Sequence, residues 1–253
     1  MPKLKISIIT VCFNSKDFIR QTIESVAKQD YFAIEHVVID GGSTDGTVQI
    51  LQEFKDKITY ISEPDKGIYD AMNKGVKLAT GEVIGTLGAG DFYPNNLVIS
   101  TVAATFELYK TDAVYGDKQY VNPDNVDKVV RYWRSGEYKI ENWLEGWMPP
   151  HQSFYLKKAA FEKYGLYLQG FRSAGDYELM VRMLYKHKLK AKYIPELLVT
   201  MLTGGTSTAS FSNRIKANLE DRKAWLVNDL EPKWYTLYAK PLSKILQFFR
   251  KQN

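Results

Sequence analysis

Cysteine and long apolar runs are both scarce in this sequence, and each shortage excludes a class of protein. Cys12 is the single cysteine of the 253 residues, so no disulfide can form within the chain, and a reducing, cytoplasmic location is the simplest expectation. No apolar stretch approaches the roughly 18–20 residues of a membrane span. The apolar run near the N-terminus is too short for a signal peptide and is expected to form the first strand.

Clustered charge is missing as well. The formal net charge is +5 and the sequence pI is about 9.0, yet Lys and Arg are not gathered as in nucleic-acid-binding domains, so no nucleic-acid partner is expected. A modest positive charge favours an anionic substrate or an anionic membrane surface. The apolar share of 45% is enough for a sizeable core, and the sequence has no repeat or Gly/Ser-rich linker, which suits one domain with an appendage.

Apolar strands and amphipathic helices alternate regularly over residues 1–115. The predicted strands are Lys5–Cys12, His36–Asp40, Thr59–Ser62, Glu82–Leu87 and Ala113–Tyr115. The predicted helices are one that starts at Asn14-Ser15, one that runs through Phe54, Ile68–Leu78 and Leu97–Tyr109. This alternation predicts an α/β fold with a doubly wound, mainly parallel sheet flanked by helices.

The elements become shorter and less regular after residue 116. The expected elements are hairpin strands Lys118–Asn122 and Val129–Trp133, a strand His151–Leu156, a helix Lys157–Tyr164, a helix Asp176–Lys186, and strands Lys192–Ile194 and Leu197–Leu202. This half is expected to continue the first and to cover its ligand-binding edge.

Polar, Gly-rich loops follow three of the predicted strands, at Thr10–Ser15, Asp40–Asp45 and Gly88–Asp91. In an open parallel sheet, ligands bind outside the carboxyl ends of the strands. The three loops are therefore expected to meet in one site, and Val83–Tyr93 is expected to carry its most polar chemistry.

Five strings resemble family 2 glycosyltransferases in order and spacing: ISIITVCFN, VVIDGGSTDGT, EPDKGIYDAMNKG, GEVIGTLGAGDFY and HQSFY…AGDYELMVR. The resemblance covers about residues 4–205 and implies the GT-A fold. It further implies an inverting transferase that uses a nucleotide-diphosphate sugar, with uridine favoured, in bacterial surface polysaccharide synthesis. The implied acceptor is a glycan or a lipid-linked glycan.

The resemblance also divides the chain. It implies a GT-A domain over residues 1–205, with a nucleotide-binding half (1–116) and an acceptor and catalytic half (117–205), followed by a C-terminal helical extension over residues 206–253. The implied donor-binding residues are Thr10, Val11, Phe13, Asn14, Asp40, Gly41, Asp70, Lys74, Gly88, Ala89 and Gly90. Asp40 can accept hydrogen bonds from uracil or ribose, or it can form the strand-end turn. Lys74 can reach the diphosphate or stay solvated, and Asp45 is expected to cap its loop.

The segment after the fourth strand departs from the family pattern. The family usually carries two or three acidic residues there, which hold Mg²⁺ or Mn²⁺ against the diphosphate. Here the usual acidic positions are Gly88 and Gly90, so Asp91 is the one candidate metal ligand. Weak metal binding and a degenerate, inactive site are the alternatives.

Asp176 is the candidate general base, because it matches the aspartate of the Glu-Asp pair that the family carries at the start of a helix. Gly175 replaces the glutamate of that pair, and Glu178 is the second candidate. The alternative is that Asp176 merely caps the helix. His151 and Trp147 are candidate acceptor-side residues, although loop packing would explain both equally well.

Two further segments leave their partners open. Gly204-Gly205-Thr206-Ser207 resembles a loop of the family that closes over the diphosphate. Pro241–Lys251 has a basic amphipathic pattern, which suits peripheral contact with the inner membrane, docking on its own domain, or a second subunit in an oligomer. A nucleotidyltransferase and a non-catalytic nucleotide-sugar-binding relative are the competing functions.

Overall fold

A nine-stranded mixed sheet organises the computed structural model, which describes residues 3–203 and 211–243. The strands are β1 (Ile6–Cys12), β2 (Ile34–Asp40), β3 (Thr59–Ser62), β4 (Val83–Gly88), β5 (Asp91–Phe92), β6 (Ala113–Asn122), β7 (Asn125–Trp133), β8 (Phe154–Lys157) and β9 (Ala191–Leu202). The helices are α1 (Ile19–Ala27), α2 (Thr47–Glu53), α3 (Ile68–Leu78), α4 (Val98–Tyr109), α5 (Lys158–Tyr164), α6 (Gly175–Met180), α7 (Phe211–Leu226) and α8 (Thr236–Ser243).

The first four strands, β1 to β4, form the parallel half of the sheet. The order across the sheet is β3-β2-β1-β4-β8-β6-β9-β5, and β7 pairs with β6. The runs in β1 and β2 are rich in Ile and Val because both faces of these strands are buried. The α/β prediction is confirmed, but the sheet is mixed rather than mainly parallel, since β8 is inserted antiparallel between β4 and β6.

Helix α1 begins later than its sequence pattern indicates. Its apolar stripe of Ile19, Ile23 and Val26 is buried as expected. The predicted start at Asn14-Ser15 is wrong, because Asn14 has a left-handed backbone (φ 47°) and the chain stays in a loop until Ile19. That loop keeps residues 13–16 at the carboxyl edge of the sheet.

Several short elements of the second half are longer or interrupted in the structure. The two strands predicted within residues 192–202 are the single strand β9, and β6 joins two predicted strands into one. The helix predicted over Asp176–Lys186 is α6 followed by a π-helical segment, Val181–Lys186. His151–Ser153 forms a 3₁₀ turn before β8.

Helices α7 and α8 pack onto the second half of the sheet domain. Trp225 is fully buried in the main core, and its indole Nε1 donates to the hydroxyl of Tyr177 at 2.9 Å. The division of the chain at residue 205 stays a prediction. The Gly204–Ser207 loop and residues 244–251 of the predicted amphipathic helix lie outside the described residues. Over residues 3–203 and 211–243, no helix has the length and apolar character that crossing a membrane requires.

Candidate active site

The loops after β1 and β2 are bonded into one unit at the carboxyl edge of the sheet. The backbone N–H of Asn14 donates to Ser43 Oγ at 2.7 Å, and its side-chain oxygen accepts from the N–H of Thr44 at 3.0 Å. Asp45 accepts from the N–H of Lys16 at 3.0 Å, which agrees with its expected capping role. The predicted convergence of these two loops therefore holds in the structure.

Asp40 forms the turn that follows β2. The residue is fully buried, and one carboxylate oxygen accepts from the N–H of Ser43 at 2.9 Å and from Ser62 Oγ at 2.7 Å. The other oxygen accepts from the Ser43 hydroxyl. These bonds occupy the carboxylate with its own loop, so the geometry fits the turn-forming alternative.

The open part of this edge carries an aromatic ring and a carboxylate. Phe13 is 61% exposed. A Cβ atom placed on Gly41 would lie 2.6 Å from Asp65 Oδ2 and 3.4 Å from Phe13 Cδ2, so these three residues adjoin one another. A flat ring can stack on a nucleobase and a carboxylate can accept its N–H, which is the chemistry of a base site. Asp65 was not predicted, although it lies in the EPDKG string.

Thr10 and Val11 contribute to the site less directly. Thr10 is fully buried, and its hydroxyl is 2.9 Å from His36 Nε2 inside the sheet. Val11 is half-buried and packs in the core. The structure therefore does not bring the Thr10 side chain together with Phe13 and Asp65.

Lys74, which is paired with Asp70, contacts the segment that carries Asp65. The Lys74 ammonium lies 2.7 Å from Glu63 and 3.8 Å from Asp70, and it donates to the carbonyl of Pro64 at 3.1 Å. The hydrogen bond to Glu63 raises the pKa of Lys74. Both helix residues therefore support the loop that carries Asp65.

The segment Gly88–Asp91 is tightly folded against α1. Thr22 Oγ1 donates to the carbonyl of Asp91 at 2.8 Å, and the N–H of Gly90 (φ 97°) lies 3.0 Å from the same hydroxyl. The glycine allows a backbone conformation that other residues rarely adopt. Ala89 is half-buried beside it.

Asp91 does not present an open carboxylate. It is 3% exposed, and its Oδ2 accepts from the N–H of Gly88 at 3.0 Å. Burial raises the pKa of Asp91 to about 6, although the nearby Lys118 ammonium acts in the opposite direction.

These residues do not fit a divalent cation. Mg²⁺ and Mn²⁺ prefer several oxygen ligands, usually including exposed carboxylates. In the described part of the chain, no group of three or more His, Cys, Asp or Glu side chains could hold a metal ion. Asp91 is alone, buried and beside a lysine, so the predicted metal role is not supported by the arrangement around it.

Asp176 lies at the start of α6 and keeps part of its surface open. The hydroxyl of Tyr69, in the first turn of α3, is 3.4 Å from Asp176 Oδ1. His151 lies nearby and is buried, with Nε2 2.9 Å from the hydroxyl of Tyr167. Burial lowers the pKa of His151, and the charge of Asp176 opposes that shift. A partly open carboxylate here can accept a proton.

Glu178, the second candidate base, is enclosed in an ion pair. It is fully buried, Arg182 Nε donates to its Oε1 at 2.8 Å, and Asn228 Nδ2 donates to the same oxygen at 3.0 Å. Arg182 also donates to the carbonyls of Gly165 and Leu166. Glu178 thus ties α6 to two other segments and has no open side toward a substrate.

Trp147 belongs to a packed aromatic cluster rather than to an open surface. Its indole N–H donates to the carbonyl of Ser135 at 2.7 Å, and its ring contacts those of Trp143 and Tyr115 at 5.5 and 5.7 Å between centroids. Loop packing, the alternative given above, therefore describes Trp147 and the buried His151 well.

Besides Asp65, three further residues near the site were not predicted from the sequence. Tyr69 contacts Asp176, and Lys118 lies near Asp91. Glu220 of α7 accepts from the backbone N–H groups of residues 172, 173 and 174 at 2.8, 2.7 and 3.0 Å, just before α6. Tyr69 lies within a recognised string, but Lys118 and Glu220 are brought to the site by contacts that no local pattern indicates.

Comparison with solved structures defines the class of fold. The chain is similar to Staphylococcus aureus TarS (residues 1–349) in complex with UDP-GlcNAc, with a TM-score of 0.70 and 19% identity, over 93% of this chain and 69% of that one. It is also similar to the mannosyltransferase PcManGT of Pyrobaculum calidifontis in complex with GDP-Man and Mn²⁺, with a TM-score of 0.68 and 18% identity, over 94% and 69%. The fold is GT-A.

Sequence comparison then places the chain in a family. The model of glycosyl transferase family 2 matches residues 7–165. An uncharacterized glycosyltransferase of Mycobacterium tuberculosis is 33% identical over 181 residues, which cover 70% of this chain and 68% of that protein. A PGL/p-HBAD biosynthesis glycosyltransferase of Mycobacterium bovis is 28% identical over 193 residues, covering 74% and 73%. The chain belongs to glycosyltransferase family 2.

Proposed function

We propose that this glycosyltransferase moves a hexose-type sugar from a nucleotide-diphosphate sugar to an acceptor hydroxyl with inversion at the anomeric carbon. The observation that carries the proposal is the partly open carboxylate of Asp176 at the start of α6, in contact with Tyr69 of α3. Asp176 takes the acceptor proton, the acceptor oxygen bonds to the anomeric carbon, and the bond from that carbon to the diphosphate breaks. One displacement inverts the configuration.

The donor base is proposed to lie between the Phe13 ring and the Asp65 carboxylate. An exposed ring offers a stacking face, and Asp65 can accept the N3–H of uracil. UDP is therefore the favoured nucleotide, and the similarity to a UDP-GlcNAc complex of TarS supports it. Divalent metal is not part of the proposal, because the described residues do not fit one.

The proposed acceptor is a glycan or a lipid-linked glycan of bacterial surface polysaccharide or glycolipid synthesis. The similarity to the PGL/p-HBAD biosynthesis glycosyltransferase of M. bovis supports a role in a biosynthetic pathway of this kind. The C-terminal helical region exposes the apolar residues Trp234 (84%), Leu219 and Leu226 and the basic residues Arg222 and Lys223. This composition suits peripheral contact with the cytoplasmic face of the inner membrane. Co-sedimentation with phosphatidylglycerol vesicles, and none with phosphatidylcholine vesicles, is the expected result; equal recovery with both contradicts it.

A donor panel tests the enzymatic proposal. Calorimetry and donor hydrolysis are measured with UDP-GlcNAc, UDP-glucose, GDP-mannose and dTDP-glucose. We expect one of these donors to bind the wild type and to be slowly hydrolysed. The Asp176→Asn variant should unfold at the same urea concentration as the wild type and bind the same donor. Its turnover should be lower by at least about 100-fold. Turnover near the wild-type rate in Asp176→Asn would remove Asp176 from the mechanism, and binding without hydrolysis in the wild type would indicate a non-catalytic relative.

A further inference from the structure

A buried lysine lies beside the segment from which the family's acidic residues are missing. Lys118 of β6 is 3% exposed. Its Nζ donates to Gln152 Oε1 at 2.9 Å and lies 3.8 Å from Met201 Sδ. The rings of Tyr120 and Trp133 flank the ammonium, at 4.5 and 5.4 Å from their centroids.

No carboxylate forms an ion pair with Lys118 within residues 3–203 and 218–240, where side chains are described. The adjacent Asp117 points to the other face of the strand, where it accepts from the Ser135 N–H and the Tyr193 hydroxyl, both at 2.8 Å. A buried charge is costly unless an opposite charge accompanies it. An ammonium has three N–H donors, and Gln152 and the weakly accepting sulfur of Met201 leave capacity for an anion.

Lys118 lies next to the segment that, in the proposed function, faces the diphosphate of the donor. Met201 of β9 pairs with Asp91 of β5, so the ammonium that contacts Met201 lies next to the Gly88–Asp91 segment. The charge of Lys118 lowers the pKa of both Asp91 and His151, and the charge of Asp176 raises the pKa of His151. Lys118 is thus placed between the segment that would face the diphosphate and the candidate base.

We propose that Lys118 binds the diphosphate of the donor and neutralises the leaving nucleoside diphosphate, in place of a carboxylate-held divalent cation. This inference rests on the proposed function. As the acceptor oxygen bonds to the anomeric carbon, the electron pair of the breaking carbon–oxygen bond goes to the departing phosphate oxygen. The acceptor proton goes to Asp176, and the Lys118 ammonium stays protonated and donates to the diphosphate.

The alternative is a structural lysine that only fills the space between Tyr120 and Trp133. Charge recognition separates the two, because a structural lysine would not distinguish a nucleoside diphosphate from the monophosphate. The probes are UDP, GDP and dTDP, the matching monophosphates, and EDTA, each titrated by calorimetry. The variants are Lys118→Met, Lys118→Arg and, as a matched control, Lys128→Met at an exposed position of the neighbouring strand β7.

We expect Lys118→Met to lose roughly 10- to 100-fold in affinity for the diphosphate that the wild type binds, the loss of one charge-assisted contact. Affinity for the monophosphate should change less than about 3-fold, Lys118→Arg should retain diphosphate binding better than Lys118→Met, and Lys128→Met should match the wild type. EDTA should leave wild-type affinity unchanged. Thermal melting checks folding, and Lys118→Gln replaces Lys118→Met if the latter unfolds.

Two results would overturn the inference while leaving the proposed function standing: unchanged diphosphate affinity in the folded Lys118 variant, or loss of wild-type diphosphate binding on addition of EDTA. Failure of the wild type to bind any of the three diphosphates would instead contradict the proposed function itself, and the inference with it.

Discussion

The ring of Tyr69 fills the space that a side chain at position 175 would need. A Cβ atom on Gly175 would lie 2.7 Å from both Cε2 and Cζ of Tyr69, closer than real Cβ atoms approach other atoms. The same placement brings the Tyr69 hydroxyl to 3.4 Å from Asp176. Glycine at 175, where the family resemblance implies glutamate, is therefore coupled to the tyrosine of α3.

Gly175→Ala should destabilise the protein through this contact. Overpacking of a filled site costs about 1–3 kcal/mol in the free energy of unfolding, measured by urea denaturation. Tyr69→Ala removes the ring, so the double variant should lose less than the sum of the two single losses. Strictly additive losses would show that the two residues are not coupled.

Glu178→Gln should act on stability rather than on chemistry. The substitution leaves Arg182 buried without a charged partner, which costs about 3–5 kcal/mol in the free energy of unfolding. The control is Glu53→Gln, which breaks the exposed pair with Arg20 and should cost less than about 1 kcal/mol. A Glu178→Gln protein of wild-type stability that lacks turnover would instead make Glu178 a catalytic candidate again.

Glu220→Gln tests whether α7 positions the base. The carboxylate accepts three backbone N–H groups just before α6, and these bonds lower its pKa although burial opposes the shift. We expect turnover to fall by roughly 10-fold, the loss of one charged hydrogen-bonding group, with donor affinity little changed. Amide hydrogen exchange at residues 172–174 should become faster. Glu231→Gln, at an exposed site, is the control; slow exchange and full activity in Glu220→Gln would contradict the role.

His36 should make the protein sensitive to acid. Burial lowers the pKa of His36 to about 3, from an ordinary value of 6.5. A histidine with a lowered pKa contributes stability above pH 6.5 and loses it as the pH falls towards 3, because the unfolded chain binds the proton more readily. The wild type should therefore lose roughly 1.4 kcal/mol per pH unit below about 6, relative to His36→Gln.

Urea unfolding of both proteins between pH 5 and 7.5 measures this difference. His187→Gln is the control, since His187 is only half-buried and its substitution should change the slope less. Parallel pH profiles for the wild type and His36→Gln would show that His36 is protonated as easily in the folded state as in the unfolded chain.

The parallel half of the fold could be predicted because its information is local. Continuous apolar runs specify β1 and β2, the stripe of α3 specifies Ile68–Leu78, and Gly-rich strings mark the strand ends. The second half was predicted less well, since β6 and β9 are each single strands, and the pairing of β6 with β8 and with β9 depends on distant residues. For the same reason, the sequence did not indicate that Lys118 and Glu220 lie near the candidate site.

The sequence by itself determined the α/β class, the family and the position of Asp176 at the start of a helix, because each follows from residues that are close together in the chain. The tertiary structure decided what surrounds those residues. It enclosed Asp40 in its own turn, paired Glu178 with Arg182 and buried Lys118 beside Asp91. Burial and charge pairing arise from segments that are far apart in the chain. The charge environment and the pKa of a side chain therefore depend on the tertiary structure and not on the local sequence alone.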